Sequence, residues 1–442
     1  MWLFVAWLFI YVVMFFRYKE DTIFYVPIMI VLSKITRELI QISPEIEDRS
    51  FILMEYSLMF YIIFISIYNL IIRKSFKFDY LSRAIIFLCF YLLILSLTLS
   101  SDPWLSFKSS LPIISSLTLF LSLYNSFIYP NNKYIKITYY QLVGFLLLFL
   151  VNTLILSIFG LGGQLMMGRE FGVTSAAPFL RMGQFTHFDG HAIAIITPML
   201  LASTEIYKKG LRSWFTILII VVVTLLLLLI TKRSYLITLI IGILVYFIYF
   251  FFYSKTRVKS IISVFFIVFL TIIFLRDFYE FFIQTRSDAM QTEFVMQGRN
   301  QEIILYPEVV KYHPQPTKFI LLGEELFNSS GKFRILDLVI SGGTGRFLHN
   351  DYAHLLYGSG IIGLFLYISI LIKSVLKGNG FRKKVKGSFE FALSVCSILL
   401  AIGLLTSGYA DGILSLVNRA VPFYFLGVFL CFLRSKQMIY AR

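Results

Sequence analysis

Residues 215 to 253 read FTILIIVVVTLLLLLI TKRS YLITLIIGILVYFIYFFFY, two long apolar runs parted only by Thr231, Lys232, Arg233 and Ser234. The first run is apolar on every face, so it suits lipid on all sides, not one core-facing stripe. A transmembrane β-barrel would show short stretches of alternating apolar and polar residues instead. A spanning helix needs ~20 mostly apolar residues, and each run is close to that length. The pair therefore predicts two spans, near 214 to 231 and 234 to 253, joined by a tight turn.

Working outward, similar runs place spans near 1 to 16, 21 to 33, 51 to 72, 84 to 101, 111 to 129, 138 to 160, 190 to 207, 260 to 275, 351 to 373, 389 to 407 and 413 to 433. The expected fold is all-α, a polytopic transmembrane helix bundle of about 12 to 14 spans. The composition agrees: 58% hydrophobic and 14% charged residues exclude a soluble domain of this length. The first run lacks a basic leader and is followed by Arg17 and Lys19, so it reads as a retained span with no cleaved signal. Cys89, Cys396 and Cys431 all fall in predicted spans and read as small buried apolar residues.

The net charge of +16 would suggest nucleic acid in a soluble protein, but here the excess sits in short loops, where positive charge sets orientation. Arg73, Lys74, Lys77 and Arg83, then Lys133 and Lys136, then Lys208, Lys209 and Arg212 occupy alternate loops. Lys255, Arg257 and Lys259, the run Lys377 to Lys386, and Arg434 with Lys436 continue the same alternation. All six clusters fall on one side, which predicts that side as cytoplasmic, and no nucleic-acid partner is expected. The chain then divides into N-terminal helices 1–137, a core region 138–373 and C-terminal helices 374–442. Within the core, loops 161–189 and 276–350 are predicted external, and the longer is expected to form a small helical cap.

The polar chemistry crowds this external face. His187, His191, His313, His349 and His354 all lie in the external loops or at the mouth of a span. Lys232 and Arg233 violate the positive-inside trend, either because they snorkel to headgroups or because they form an anion site. Arg181 to His191 leads into a span; His187 and His191 are four apart, but Gly190 breaks helical regularity and no third metal ligand is local. The densest cluster is Gly342, Arg346, His349, Asn350, Asp351, His354, Gly360 and Gly363. Its two histidines lie about 140° apart on a helix, so they cannot share a zinc. His349 suits a general base, or an interfacial histidine bonded for packing, and the two glycines suit close helix packing. Arg299 is a further external cation, and Arg419 is costly inside its span unless it faces a polar cavity. Arg181, Arg233, Arg299, Arg346 and Arg419 are expected at one depth, an arrangement suited to a diphosphate.

Arg181 to His191 before a span, Lys232 and Arg233 in a tight turn, Gly298 and Arg299 opening a large loop, Gly323 within it, and His349, Asn350 and Asp351 followed by Gly360 and Gly363 resemble the O-antigen polymerase and ligase superfamily. The resemblance covers about residues 140 to 370. Two positions depart from the pattern: Ser234 follows Arg233 where a serine often precedes it, and Asp189 replaces a common asparagine. The resemblance implies an inner-membrane glycosyltransferase polymerising undecaprenyl-diphosphate-linked oligosaccharides at the outer face, without cofactor or metal. His349 would be the catalytic base, and Arg181, Lys232, Arg233, Arg299, Arg346, Asn350, Asp351 and Arg419 would bind substrate. Membrane lipids are further partners, and a chain-length regulator is one the reading admits. A ligase delivering the glycan to lipid A core shares these motifs, and a lipid-linked oligosaccharide flippase is the alternative of another class.

Overall fold

The computed structural model describes residues 2–40, 48–73, 76, 78–126, 132–159, 165–166, 169–170, 190–204, 211–229, 233–253, 302–327, 348, 350–384, 388–409 and 412–440. Helices dominate. They are α1 (Trp2–Tyr18), α2 (Val26–Ile40), α3 (Asp48–Arg73), α4 (Tyr80–Thr98), α5 (Pro103–Asn125), α6 (Asn132–Ile158), α7 (Gly190–Thr204), α8 (Leu211–Leu229) and α9 (Arg233–Tyr253). Two short helices follow, α10 (Tyr306–Lys311) and α11 (Pro316–Leu322), then α12 (Asp351–Lys384), α13 (Ser388–Ser407) and α14 (Leu416–Tyr440). A ribbon of two-residue strands, β1 (Leu165–Met166) and β2 (Arg169–Glu170), pairs antiparallel inside the first long loop.

Among the described residues, eight helices are long and apolar enough to cross a membrane, and three shorter apolar helices lie in α1, α7 and α8. The expected all-α, polytopic bundle is therefore present. The expected span 260–275 lies outside the described residues. The expected span 21–33 differs: a 3-10 segment, Lys19–Tyr25, occupies its first part and α2 begins only at Val26. Charged Lys19 and Asp21 and the tight turn there interrupt what hydropathy alone joins.

Helix α14 is the axis of the bundle: it packs on α5, α13, α7 and α2, and every residue of its apolar stretch is enclosed by protein. Lipid-facing side chains such as Phe64, Phe87, Phe90, Leu218 and Phe365 are exposed on the outer helices, as expected where lipid replaces water. At one end, Lys377 of α12 and Tyr124 of α5 both bond the Asp79 carboxylate, which also accepts the Ser82 N–H at 2.9 Å to cap α4. Arg434 of α14 reaches the Tyr124 carbonyl at the same end.

The opposite end carries the cap. Val309 and Phe319 of α10 and α11 pack with Leu348, Ala353 and Tyr357, so the cap borrows its core from α12. Helix α12 is not continuous: Gly360 sits at φ 62, ψ −170 and kinks it. A Cβ there would lie 2.3 Å from the Leu321 carbonyl, and one on Gly323 (φ 68) would lie 2.5 Å from Gly358 C. The two glycines interlock back to back. The Tyr91 hydroxyl of α4 donates to the Ser359 carbonyl freed by the kink, at 2.9 Å. Gly360 thus serves a backbone conformation that no L-residue adopts comfortably, beyond the close packing expected of it.

Candidate functional site

Asn350 begins the site. Its Oδ1 accepts the N–H groups of Tyr352 (2.9 Å) and Ala353 (3.3 Å), the capping geometry that ends the loop and starts α12. Its own N–H donates to Oε2 of Glu302 at 2.9 Å, and the Tyr357 hydroxyl donates to the Glu302 carbonyl at 2.9 Å. Both Glu302 and Asn350 are fully buried. One turn on, His354 Nε2 donates to the Leu348 carbonyl at 2.9 Å, so this ring pins the approach to the helix.

Asp351 is the next residue and the most constrained. Its Oδ1 accepts from the N–H groups of Gly412 (2.9 Å) and Ile413 (2.8 Å), and its own N–H donates to the Gly408 carbonyl at 3.1 Å. Its Oδ2 pairs with Arg419 Nη2, while Arg419 Nη1 donates to Ser407 Oγ at 2.9 Å. Both charges are fully buried. An isolated arginine in an apolar bundle carries a desolvation cost of several kcal/mol, and the carboxylate with its two backbone donors offsets it. Arg419 therefore finds its compensation in Asp351, fully enclosed within the bundle.

The remaining contacts join further helix starts to this pair. Asn418 Oδ1 accepts the Ala192 N–H at 3.0 Å, tying the start of α7 to the start of α14. His191 lies edge-on to Tyr235 with ring centroids 4.5 Å apart, tying α7 to α9 two residues beyond Arg233. Gly190 is the first residue of α7 and allows this approach: a Cβ there would lie 2.4 Å from the Tyr235 ring. It begins the helix, at the position where the span 190 to 207 was expected to start. The N-termini of α7, α9, α12 and α14 thus form one linked string, and each directs the positive end of its dipole to this end of the bundle. Such an end of a bundle favours anions.

Of the residues singled out by sequence, Asn350, Asp351 and Arg419 come together here. Arg233 is the first residue of α9, on the same string. Arg181, Lys232, Arg299, Arg346 and His349 lie outside the described residues, as does His187. His191, His313 and His354 are described and engaged; in the cap, His313 Nδ1 accepts the Gln315 N–H at 3.0 Å while Nε2 donates to Glu324 at 2.8 Å. No group of three metal-ligating side chains occurs among the described residues. Sequence reasoning missed Glu302, Ser407 and Asn418. Asn418 carried a readable signal, since it adjoins Arg419 in an otherwise apolar run, whereas Glu302 was one acidic residue in a loop of balanced charge.

Fold and site together define an all-α, multi-pass membrane protein with a polar, helix-capped end. Compared with protein-family models, curated proteins and solved structures, the chain matches none.

Proposed function

We propose that the protein polymerises undecaprenyl-diphosphate-linked oligosaccharide repeat units at the outer face of the cytoplasmic membrane. The observation that carries the reading is the linked string of helix starts at which Asn350 and Asp351, the two residues after His349, are held by Glu302 and by Arg419. The sequence pattern through His349, Asn350 and Asp351 supplies the resemblance, and the string of helix N-termini supplies an anion-favouring end. A transferase outside the cytoplasm has no nucleotide sugar, so the energy must arrive with the substrate. A sugar on a lipid diphosphate carries its own leaving group. Arg181, Lys232, Arg233, Arg299 and Arg346 would stabilise charge developing on that diphosphate as the anomeric bond breaks. His349 would take the proton from the attacking hydroxyl, and two lipid-held sugars at one depth would be favourably oriented.

One feature favours transport: a broken helix is where transporters place their substrates, and α12 is broken at Gly360. Here the break is filled by Leu321, Leu322 and the Tyr91 hydroxyl, which speaks against an open substrate path. Deletion of the gene followed by analysis of surface glycan tests the proposal. Single-repeat species are expected. Accumulated lipid-linked polymer would instead make the protein a ligase, and accumulation of unflipped single units on the cytoplasmic side would make it a flippase.

A further inference from the structure

The last turn of α11 points two ways: Phe319 fills the core of the cap, whereas Ile320 and Leu321 are exposed. Single exposed apolar side chains are ordinary on a watery surface, so the level at which these two stand decides what they face. The Tyr91 hydroxyl fixes that level, since it reaches the Leu321 carbonyl at 3.3 Å as well as the Ser359 carbonyl. Tyr91 lies well inside α4, whose exposed stripe of Phe87, Phe90, Ile94 and Leu97 runs past it on both sides. Leu97, nearer the cap end, is still apolar and exposed, so hydrocarbon extends at least that far. The Leu321 carbonyl then lies about 9 Å deeper, at roughly 1.5 Å per residue of α4. On α12, exposed Ile361 and Phe365 follow directly on Gly360, against which Leu321 packs. We propose that α11 is a re-entrant element whose C-terminal turn dips into the bilayer leaflet at the cap end, beside α4 and α12, with Ile320 and Leu321 against lipid acyl chains. The inference goes beyond the transferase reading and does not depend on it. Irregular backbone survives at this depth only where protein satisfies its polar groups, and here it does. The Gly323 N–H donates to the Phe319 carbonyl and the Glu324 N–H to the Tyr357 carbonyl, each at 2.8 Å. The Tyr91 hydroxyl shares its proton between two carbonyls, one left by the end of α11 and one by the break in α12. Charge returns on either side of the dip. Exposed Lys318 precedes the apolar pair, with a stem long enough to lift its ammonium toward the headgroups. Glu325 follows it and accepts the Ser101 N–H at 2.8 Å and the Ser100 hydroxyl at 3.0 Å, at the turn between α4 and α5.

The test places the full-length wild-type protein in lipid nanodiscs containing a membrane-partitioned diazirine and maps the carbene adducts after irradiation. The peptide over 316–322 should be labelled along with the exposed stripe of α4. Helix α10, whose exposed Glu308 and Lys311 pair with each other, should stay largely unlabelled. A second measurement places nitroxides by Ile320→Cys and Leu321→Cys in a chain whose three native cysteines are replaced by alanine. Lys311→Cys and Phe365→Cys serve as the aqueous and lipid references. Collisions with oxygen should exceed those with a water-soluble nickel chelate at Ile320 and Leu321 as they do at Phe365, and the order should reverse at Lys311. Should the cysteine variants not fold, the diazirine map of the wild-type protein decides alone. Adducts absent from 316–322, or nickel access at Ile320 and Leu321 equal to that at Lys311, would overturn the dip and leave a cap that stands clear of the membrane.

Discussion

Asp351 and Arg419 set the terms at the scale of the residue. Removing one partner of a fully buried pair strands the other charge, so Asp351→Asn or Arg419→Met alone should destabilise by about 3–5 kcal/mol. The apolar double variant, Asp351→Leu with Arg419→Met, should recover much of that, although Gly412 and Ile413 would keep unpaired N–H groups. Thermal unfolding of the three proteins in detergent checks this, and single variants as stable as wild type would show the pair is dispensable. Arg233 calls for the opposite experiment. If it binds the diphosphate, Arg233→Ala should cost on the order of a hundredfold in rate while leaving unfolding unchanged, and Arg233→Lys should recover little. Measured polymer yield decides it, with near-normal chains from Arg233→Ala removing it from the site. The polarity of Arg419 was legible in the sequence because a charge in an apolar run stands out. Its partner was not, because Asp351 adjoins a histidine and an asparagine that invite a chemical reading, and the pairing crosses two spans of chain.

At the scale of the element, the kink in α12 is the sharpest expectation. Gly360→Ala places a Cβ on the Leu321 carbonyl in a backbone conformation alanine resists, and should cost at least about 1–3 kcal/mol and loosen the cap. Gly380, near the other end of the same helix, has open space around it, and Gly380→Ala should be neutral or stabilise by about 0.5–1 kcal/mol. Melting temperatures of the two variants give the comparison, and equal effects would contradict the interlocked geometry. The spans themselves were readable because apolarity facing lipid is a local property. The kink was not, since the reason for a glycine at 360 lies in Leu321 and Leu322, on another element. Acid sensitivity belongs to the other end of α12. Burial would raise the Asp79 carboxyl, but hydrogen bonds from Lys377, Tyr124 and the Ser82 N–H outweigh it and hold the group down at about 2. Because the folded value is the lower one, this contribution is complete above about pH 4 and is lost as pH falls towards 2. Stability of Asp79→Asn should therefore lag wild type at neutral pH and converge with it near pH 2; a gap independent of pH would rule the carboxylate out as its source.

For the whole molecule, the alternation of charge predicts sidedness. Six basic loops alternate along the chain, and in the bundle the Lys377 and Arg434 end lies opposite the Asp351 end. Single cysteines at Ser330 and Ser388 should be labelled by an impermeant thiol reagent from outside only at the first. The reverse pattern would invert the molecule and move the Asp351 end to the cytoplasm.

The enclosure of α14 also constrains how the protein is made. Among the described residues, every helix it packs against, including α2, α5, α7, α12 and α13, is translated earlier. Those helices enter the bilayer with the place of α14 filled by lipid, by each other or by nothing native. When Asn418 and Arg419 finally leave the ribosome, their partners on α7 and α12 are already in the membrane, so the helix inserts by exchanging lipid for a waiting counter-charge. Completion of the bundle is thus a late, post-insertion event, and a nascent chain stalled before residue 416 should expose to quality-control proteases the very faces that the finished molecule conceals.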